Sequence, residues 1–224
     1  GPGDALEDLA ARDPGAIVIR GRGRAFCAGA DLHAVAADDS DAHAAWTARV
    51  ADLHERIRAA RVPVVAAVHG HALGAGLSLA LACDFMLCAD DAMLGLPEVE
   101  HGLVAGIATV YLRQLAGSRV ALDLALSGRR ITGAEAAALG IANRALPAAE
   151  LEAATAELAQ RLAAIHPGGQ RLTKRLFYDT AGRPIGEQLA SARDAVLAAR
   201  RSAAAREGAA AFERRRRMAE RDPA

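Results

Sequence analysis

Two strand-to-loop transitions constrain this chain more than any other feature. The runs Ala16–Arg20 and Val64–Val68 are rich in Val and Ile, which suit a pleated, half-buried surface. Each passes directly into a segment of mostly small residues, Gly21 to Leu32 after the first and His69 to Gly76 after the second. Small residues let backbone N–H groups approach a ligand atom without side-chain interference. The second segment also leads into the apolar helical run Leu73 to Ala82, and a helix N-terminus favours negative charge. Two such segments from adjacent strands can aim two N–H groups at one oxygen, as in an oxyanion hole. Spacing alone fits two plain glycine turns of an α/β fold as well.

The rest of the first half keeps the same rhythm. A helical stretch over Leu6 to Arg12 turns at Asp13-Pro14-Gly15 into the first strand. His43 to Arg61 carries Trp46, Val50, Leu53 and Ile57 at helical spacing, which predicts one apolar face, and Pro63 ends it. Phe85 to Cys88 reads as a third strand. Strand and helix therefore alternate, and a parallel sheet with crossover helices is the economical reading. From Ile107 onward helices dominate: Ile107–Leu115, Arg119–Ser127, a short helix capped at Thr132 through Glu135, then a long one reaching Ile165. A small strand, Ile141–Leu146, stands before Pro147. Three helices close the chain, Gln170–Tyr178, Ile185–Ala205 and Arg206–Met218.

Composition excludes several classes. With 224 residues and 52% hydrophobic content, the chain can bury a sizeable core and is not of disordered type. Its 27 basic and 27 acidic residues give a net charge of +0, so nothing electrostatic argues for nucleic acid. Cys27, Cys83 and Cys88 form neither a disulfide framework nor a metal-ligand pattern. No stretch approaches the ~18 apolar residues of a membrane span, and no secretory leader is visible, so a cytoplasmic protein is the expectation.

Specific motifs now align with a known family. Arg24-Ala25-Phe26-Cys27-Ala28-Gly29-Ala30-Asp31-Leu32 resembles the first signature of the crotonase (enoyl-CoA hydratase/isomerase) superfamily. His69 to Asp84 resembles the second, and Leu96-Pro97-Glu98 with Gly102 the third. Ser127 to Thr132, with Glu135-Ala136 and Leu139 to Ala142, resembles a later block, and Arg206 to Phe212 the C-terminal helix. The resemblance implies an α/β fold with a crotonase-like ββα spiral core over 1–147. A helical C-terminal extension over 148–224 would serve oligomerisation or act as a lid, in a homotrimer or hexamer.

It also implies a site for an acyl-CoA thioester, with coenzyme A as part of the substrate and no metal or redox cofactor. The N–H groups of Ala28 and Ala75 would hold the thioester oxygen. Gly29, Ala30, Asp31 and Leu32 would line the CoA path, Gly74 would join them in binding the substrate, and Phe212 would lie near the acyl tail. The family's hydratases use two glutamates. The third-motif glutamate is present here as Glu98, but the second-motif position is Ser78, which cannot act as a carboxylate base. Hydration asks for a base on water and an acid at the α-carbon. Moving a double bond from C3 to C2 asks one carboxylate to take a proton at C2 and return it at C4.

The retained set therefore resembles the Δ3,Δ2-enoyl-CoA isomerases. The alternatives are hydration, by Glu98 with water or with help from Glu100 or His101, and a non-catalytic acyl-CoA-binding paralogue. Asp31 reads as a loop cap, and His69 and His71 as local hydrogen-bonding groups. The run Arg214–Arg217 reads as a solvated helix end or a contact for the CoA phosphates. Ser78 lies too far inside a helical run for a hydrolase nucleophile elbow. Family members carry a further strand, hairpin and helix ahead of the point where this sequence starts. The expectation from the sequence as given is a CoA pocket without that contribution.

Overall fold

The computed structural model describes residues 2–10, 12, 14–30 and 40–221, and Asp31 and Leu32 lie outside them. The chain divides into two compact units, Gly1–Leu162 and Ala163–Ala224.

In the first unit, helix α1 (Pro2–Ala10) precedes strand β1 (Ile17–Arg20), and helix α2 (Ser40–Ala59) precedes β2 (Val64–Val68). Then come β3 (His71–Leu73), α3 (Ala75–Ala82), β4 (Phe85–Ala89), β5 (Met93–Gly95) and a 3₁₀ turn, Pro97–His101. Helices α4 (Gly106–Leu115) and α5 (Gly117–Ser127), strand β6 (Arg130–Thr132), helix α6 (Gly133–Ala138), strand β7 (Arg144–Leu146) and helix α7 (Leu151–Ala163) follow.

Strands β1, β2, β4 and β7 form one sheet in that order, parallel throughout. Strands β3, β5 and β6 form a second, with β3 and β5 parallel and β6 antiparallel to β5. From β2 to β5 the chain visits the two sheets in turn, which is the ββα spiral. All five residues of β2 are buried. That explains its continuous apolar run, because a central parallel strand is covered on both faces. Val65, Val68, Leu77, Leu94 and Leu112 are among the buried residues of the main core, and Leu151 and Leu162 of α7 join it.

Local signals decided several boundaries. Thr132 Oγ1 accepts from the Glu135 N–H at 3.1 Å, the forward half of the expected cap. The return half is absent, because the Glu135 carboxylate instead accepts from Arg129 at 2.8 Å. Strands β3, β5 and β6 were not foreseen, being three residues each and too short to show a period of two. The helix expected from Leu73 starts at Ala75. The strand expected over Ile141–Leu146 is confined to its last three residues. Ile141 and Ala142 donate to the Ala136 carbonyl at 2.9 and 3.1 Å and so close the end of α6.

The second unit holds helices α8 (Pro167–Thr180), α9 (Ile185–Arg200) and α10 (Ala203–Arg221). Nδ1 of His166 accepts from the Gly168 N–H and starts α8. The expected break after Ala205 falls earlier. Ser202 Oγ accepts from the Ala205 N–H at 3.1 Å and caps α10 there.

Candidate active site

The two small-residue segments meet edge to edge. The Phe26 and Cys27 N–H groups donate to the His69 and His71 carbonyls, and the Leu73 N–H donates to the Cys27 carbonyl at 3.0 Å. Cys27 and Ala72 thus form a parallel bridge that carries the first segment alongside β3. This register sets Ala28 to Ala30 beside the start of α3. A Cβ on Gly29 would lie 3.0 Å from the Leu73 carbonyl oxygen and 4.0 Å from the Ala75 nitrogen. The Cα of Gly76 packs onto the Cys27 carbonyl so closely that a Cβ would overlap it.

The Ala75 N–H is the first of α3 and has no carbonyl one turn back inside the helix to bond. Neither it nor the Ala28 N–H has a hydrogen-bond partner among the described residues. Both alanines line one cavity of ≈ 460 Å³.

The same cavity gathers most of the sequence-predicted residues. Gly29, Ala30, Gly74 and Ser78 line it with the two alanines, and Glu98 and His101 line it from the 3₁₀ turn. Glu98 is held from both sides: Leu96 before it is fully buried, and the Leu103 N–H donates to the Glu98 carbonyl at 3.0 Å. Its carboxylate lies over Gly74. Its Oε2 is buried with no hydrogen-bond partner. Burial pushes the carboxyl above its ordinary value, partly offset by a hydrogen bond from the residue's own backbone N–H. A solvated loop carboxylate would show neither feature.

Ser78 is buried. Its hydroxyl donates to the Ala75 carbonyl at 2.9 Å and lies 3.5 Å from His54 Nε2.

Other expected residues fall elsewhere. Glu100 is exposed, 4.0 Å from Arg130, and does not line the cavity, because the 3₁₀ turn carries its side chain toward Gly128. Nε2 of His69 bonds the Gly23 carbonyl oxygen at 3.0 Å, a local contact. Phe212 lies on α10, but its side chain, like Asp31 and Leu32, is outside the described residues.

The cavity also has a wall that was not among the site residues expected from sequence. Trp46, Thr47 and Val50 of α2 line it, as do Val104 and Ile107 before and on α4. The signal was present as the stripe Trp46, Val50, Leu53, Ile57. Only the end of that stripe is core, with Ile57 fully buried. His54 lies on the same stretch and was not singled out.

Known proteins place this arrangement. The profile of the enoyl-CoA hydratase/isomerase family matches residues 3–221. The chain belongs to that family. A Thermus thermophilus protein named as an enoyl-CoA hydratase is 42% identical over 187 residues, which is 80% of this chain and 72% of that protein. A Mycobacterium bovis protein named as an enoyl-CoA hydratase is 36% identical over 163 residues, 72% of this chain and 63% of that one. The crystal structure of an enoyl-CoA hydratase from Polaromonas superposes with a TM-score of 0.89 at 29% identity, covering 96% of this chain and 85% of that chain. The ββα spiral is therefore the crotonase fold of the enoyl-CoA hydratase/isomerase family, and its α/β core with C-terminal helices agrees with the expectation from sequence.

Proposed function

We propose that this family member isomerises a 3-enoyl-CoA to a 2-enoyl-CoA through an enolate held by the Ala28 and Ala75 N–H groups. The observation that carries this reading is the count of carboxylates. Among the described residues that line the cavity, Glu98 is the sole carboxylate, and Ser78 contributes only a hydroxyl.

The reaction runs as follows. The two N–H groups donate to the thioester oxygen and stabilise negative charge as it develops there; one such donor is typically worth about 10²–10³ in rate. Glu98, ionised, takes the proton from C2. The C2–H electrons form the enolate, and the same carboxyl returns its proton at C4 as the electrons flow back. A base with a raised pKa suits this exchange, since it must both take and give the proton. The apolar wall of Trp46, Val50 and Ile107 suits an acyl chain. Coenzyme A enters as part of the substrate, and no redox or metal cofactor is invoked.

The names of the relatives favour a second reading, hydration of a 2-enoyl-CoA, with Glu98 acting on a water. Assembly into a homotrimer or hexamer is proposed with either reading. Exposed Phe177, Ile185 and Leu189 of the second unit suit burial against a neighbouring subunit. So is a cytoplasmic location; no described helix is long and apolar enough to cross a membrane.

The test is incubation with 3-enoyl-CoA and 2-enoyl-CoA, with product identification. Isomerised product from the first, lost in Glu98→Gln, is expected. Hydrated product from the second as the main activity selects the second reading. Tight CoA-ester binding without turnover marks a binding paralogue instead.

A further inference from the structure

His54 is a polar side chain in a place that asks for an apolar one. It is 3% exposed, on the stretch of α2 that carries Val50 and Ile57. Its Nδ1 is buried without a hydrogen-bond partner. A leucine or phenylalanine there would leave no polar atom stranded, so the imidazole must be retained for something its other nitrogen does. That nitrogen, Nε2, faces Ser78 Oγ at 3.5 Å. The Tyr111 ring packs against the imidazole with 5.6 Å between centroids and restricts its rotation.

The hydroxyl of Ser78 has one proton and two lone pairs. The proton goes to the Ala75 carbonyl at 2.9 Å. An N–H on Nε2 would fill one lone pair and leave the other for the cavity that Ser78 lines. The 3.5 Å separation is long, as such bonds often are before a ligand tightens the site.

We infer that His54 is a positioning residue: donating through Nε2, it holds the Ser78 hydroxyl so that its proton stays on the Ala75 carbonyl and a lone pair faces the cavity. The hydroxyl then ties down the first turn of α3, whose N-terminus presents the Ala75 N–H. Burial depresses the His54 pKa to about 4, so the ring is neutral at pH 7 and has one N–H to give. Its effect on turnover rests on the acyl-CoA reading above; its hydrogen bond does not.

Two measurements test this. The first is steady-state kinetics of Ser78→Ala, His54→Phe, His54→Gln and the Ser78→Ala/His54→Phe double variant, each with its melting temperature. His54→Phe should lower kcat about 10- to 100-fold with little change in KM, the scale of a misplaced catalytic geometry. Gln keeps a donor near the Nε2 position and should restore most of the loss. The double variant should be no worse than the poorer single one. Unchanged kcat in His54→Phe, losses that multiply, or a Gln variant as poor as Phe in a folded protein overturns the inference. The second is the ¹⁵N spectrum of the histidine ring nitrogens in the whole protein, which needs no turnover. The proton should reside on Nε2, with a signal that moves in Ser78→Ala. A proton on Nδ1 overturns the inference even if the enzyme is active. A proton on Nε2 that responds to Ser78→Ala in a protein that turns over neither enoyl-CoA upholds the bond and rejects the catalytic reading instead.

Discussion

The Glu98 carboxylate rests on the Cα of Gly74. A Cβ built at Gly74 would lie 3.0 Å from Oε1 and 3.3 Å from the carboxyl carbon, and the backbone there has φ of +54°. The residue preceding the proposed Ala75 donor is thus also the floor beneath the proposed base. One glycine therefore ties the position of the thioester cradle to the position of the carboxylate.

Replacing that glycine should separate them. Gly74→Ala combines a strained φ, costing about 1–3 kcal/mol, with a methyl in the carboxylate's place. We expect a lower melting temperature and a kcat reduced at least about tenfold, from a displaced Glu98. Wild-type turnover in a fully folded Gly74→Ala protein would reject the coupling.

Removing the N–H of Ala75 is possible with little harm to the fold. Proline is well tolerated at the first position of a helix, where its missing N–H has no intrahelical role. Gly74, with φ of 54° and ψ of −119°, holds the mirror image of an extended conformation, open to glycine before a proline. Ala75→Pro should keep its melting temperature within a few degrees and lose about 10²–10³ in kcat/KM. A loss under tenfold would show that the Ala75 N–H does not serve the reacting oxygen.

The burial of Glu98 has a pH signature. Its folded pKa is raised above the ordinary 4.5, so the folded chain holds the proton more tightly than the unfolded one. The resulting stability is present below pH 4.5 and lost as pH rises through the folded value. Glu98→Gln removes this dependence. Its melting temperature relative to wild type should therefore climb as pH goes from 4 to 7, while activity falls by about 10²–10⁴. A difference that stays flat with pH would mean that the carboxylate is solvated.

The interlock of the two segments can be tested without substrate. Gly76→Ala forces a methyl into the backbone carbonyl of Cys27, which no side-chain rotation can relieve. A cost of about 3 kcal/mol is expected, seen as a lower urea midpoint at an unchanged m-value. A stability equal to wild type would show that the segments can part.

Much of this was legible beforehand because the signals were local. Buried strands announce themselves as runs like Val64–Val68, and Thr132 caps a helix wherever the chain places it. The motif residues Ala28, Ala75 and Glu98 were named through the family resemblance that their motifs carry, whereas spacing alone left two plain glycine turns open. Three-residue strands such as His71–Leu73 were not, because pairing across space, and no pattern along the chain, makes them strands. Glu100 was a plausible neighbour of Glu98 until the handedness of a 3₁₀ turn sent it outward.

By itself, the sequence determined the α/β alternation, the family and the replacement of a second carboxylate by Ser78. Only the tertiary structure decided that Trp46 and Val50 face a cavity while Ile57, on the same stripe, faces the core. It also decided that His54 stands behind Ser78. Helical spacing specifies which residues share a face, but what that face meets depends on elements distant in sequence, and burial and electrostatics follow from that meeting.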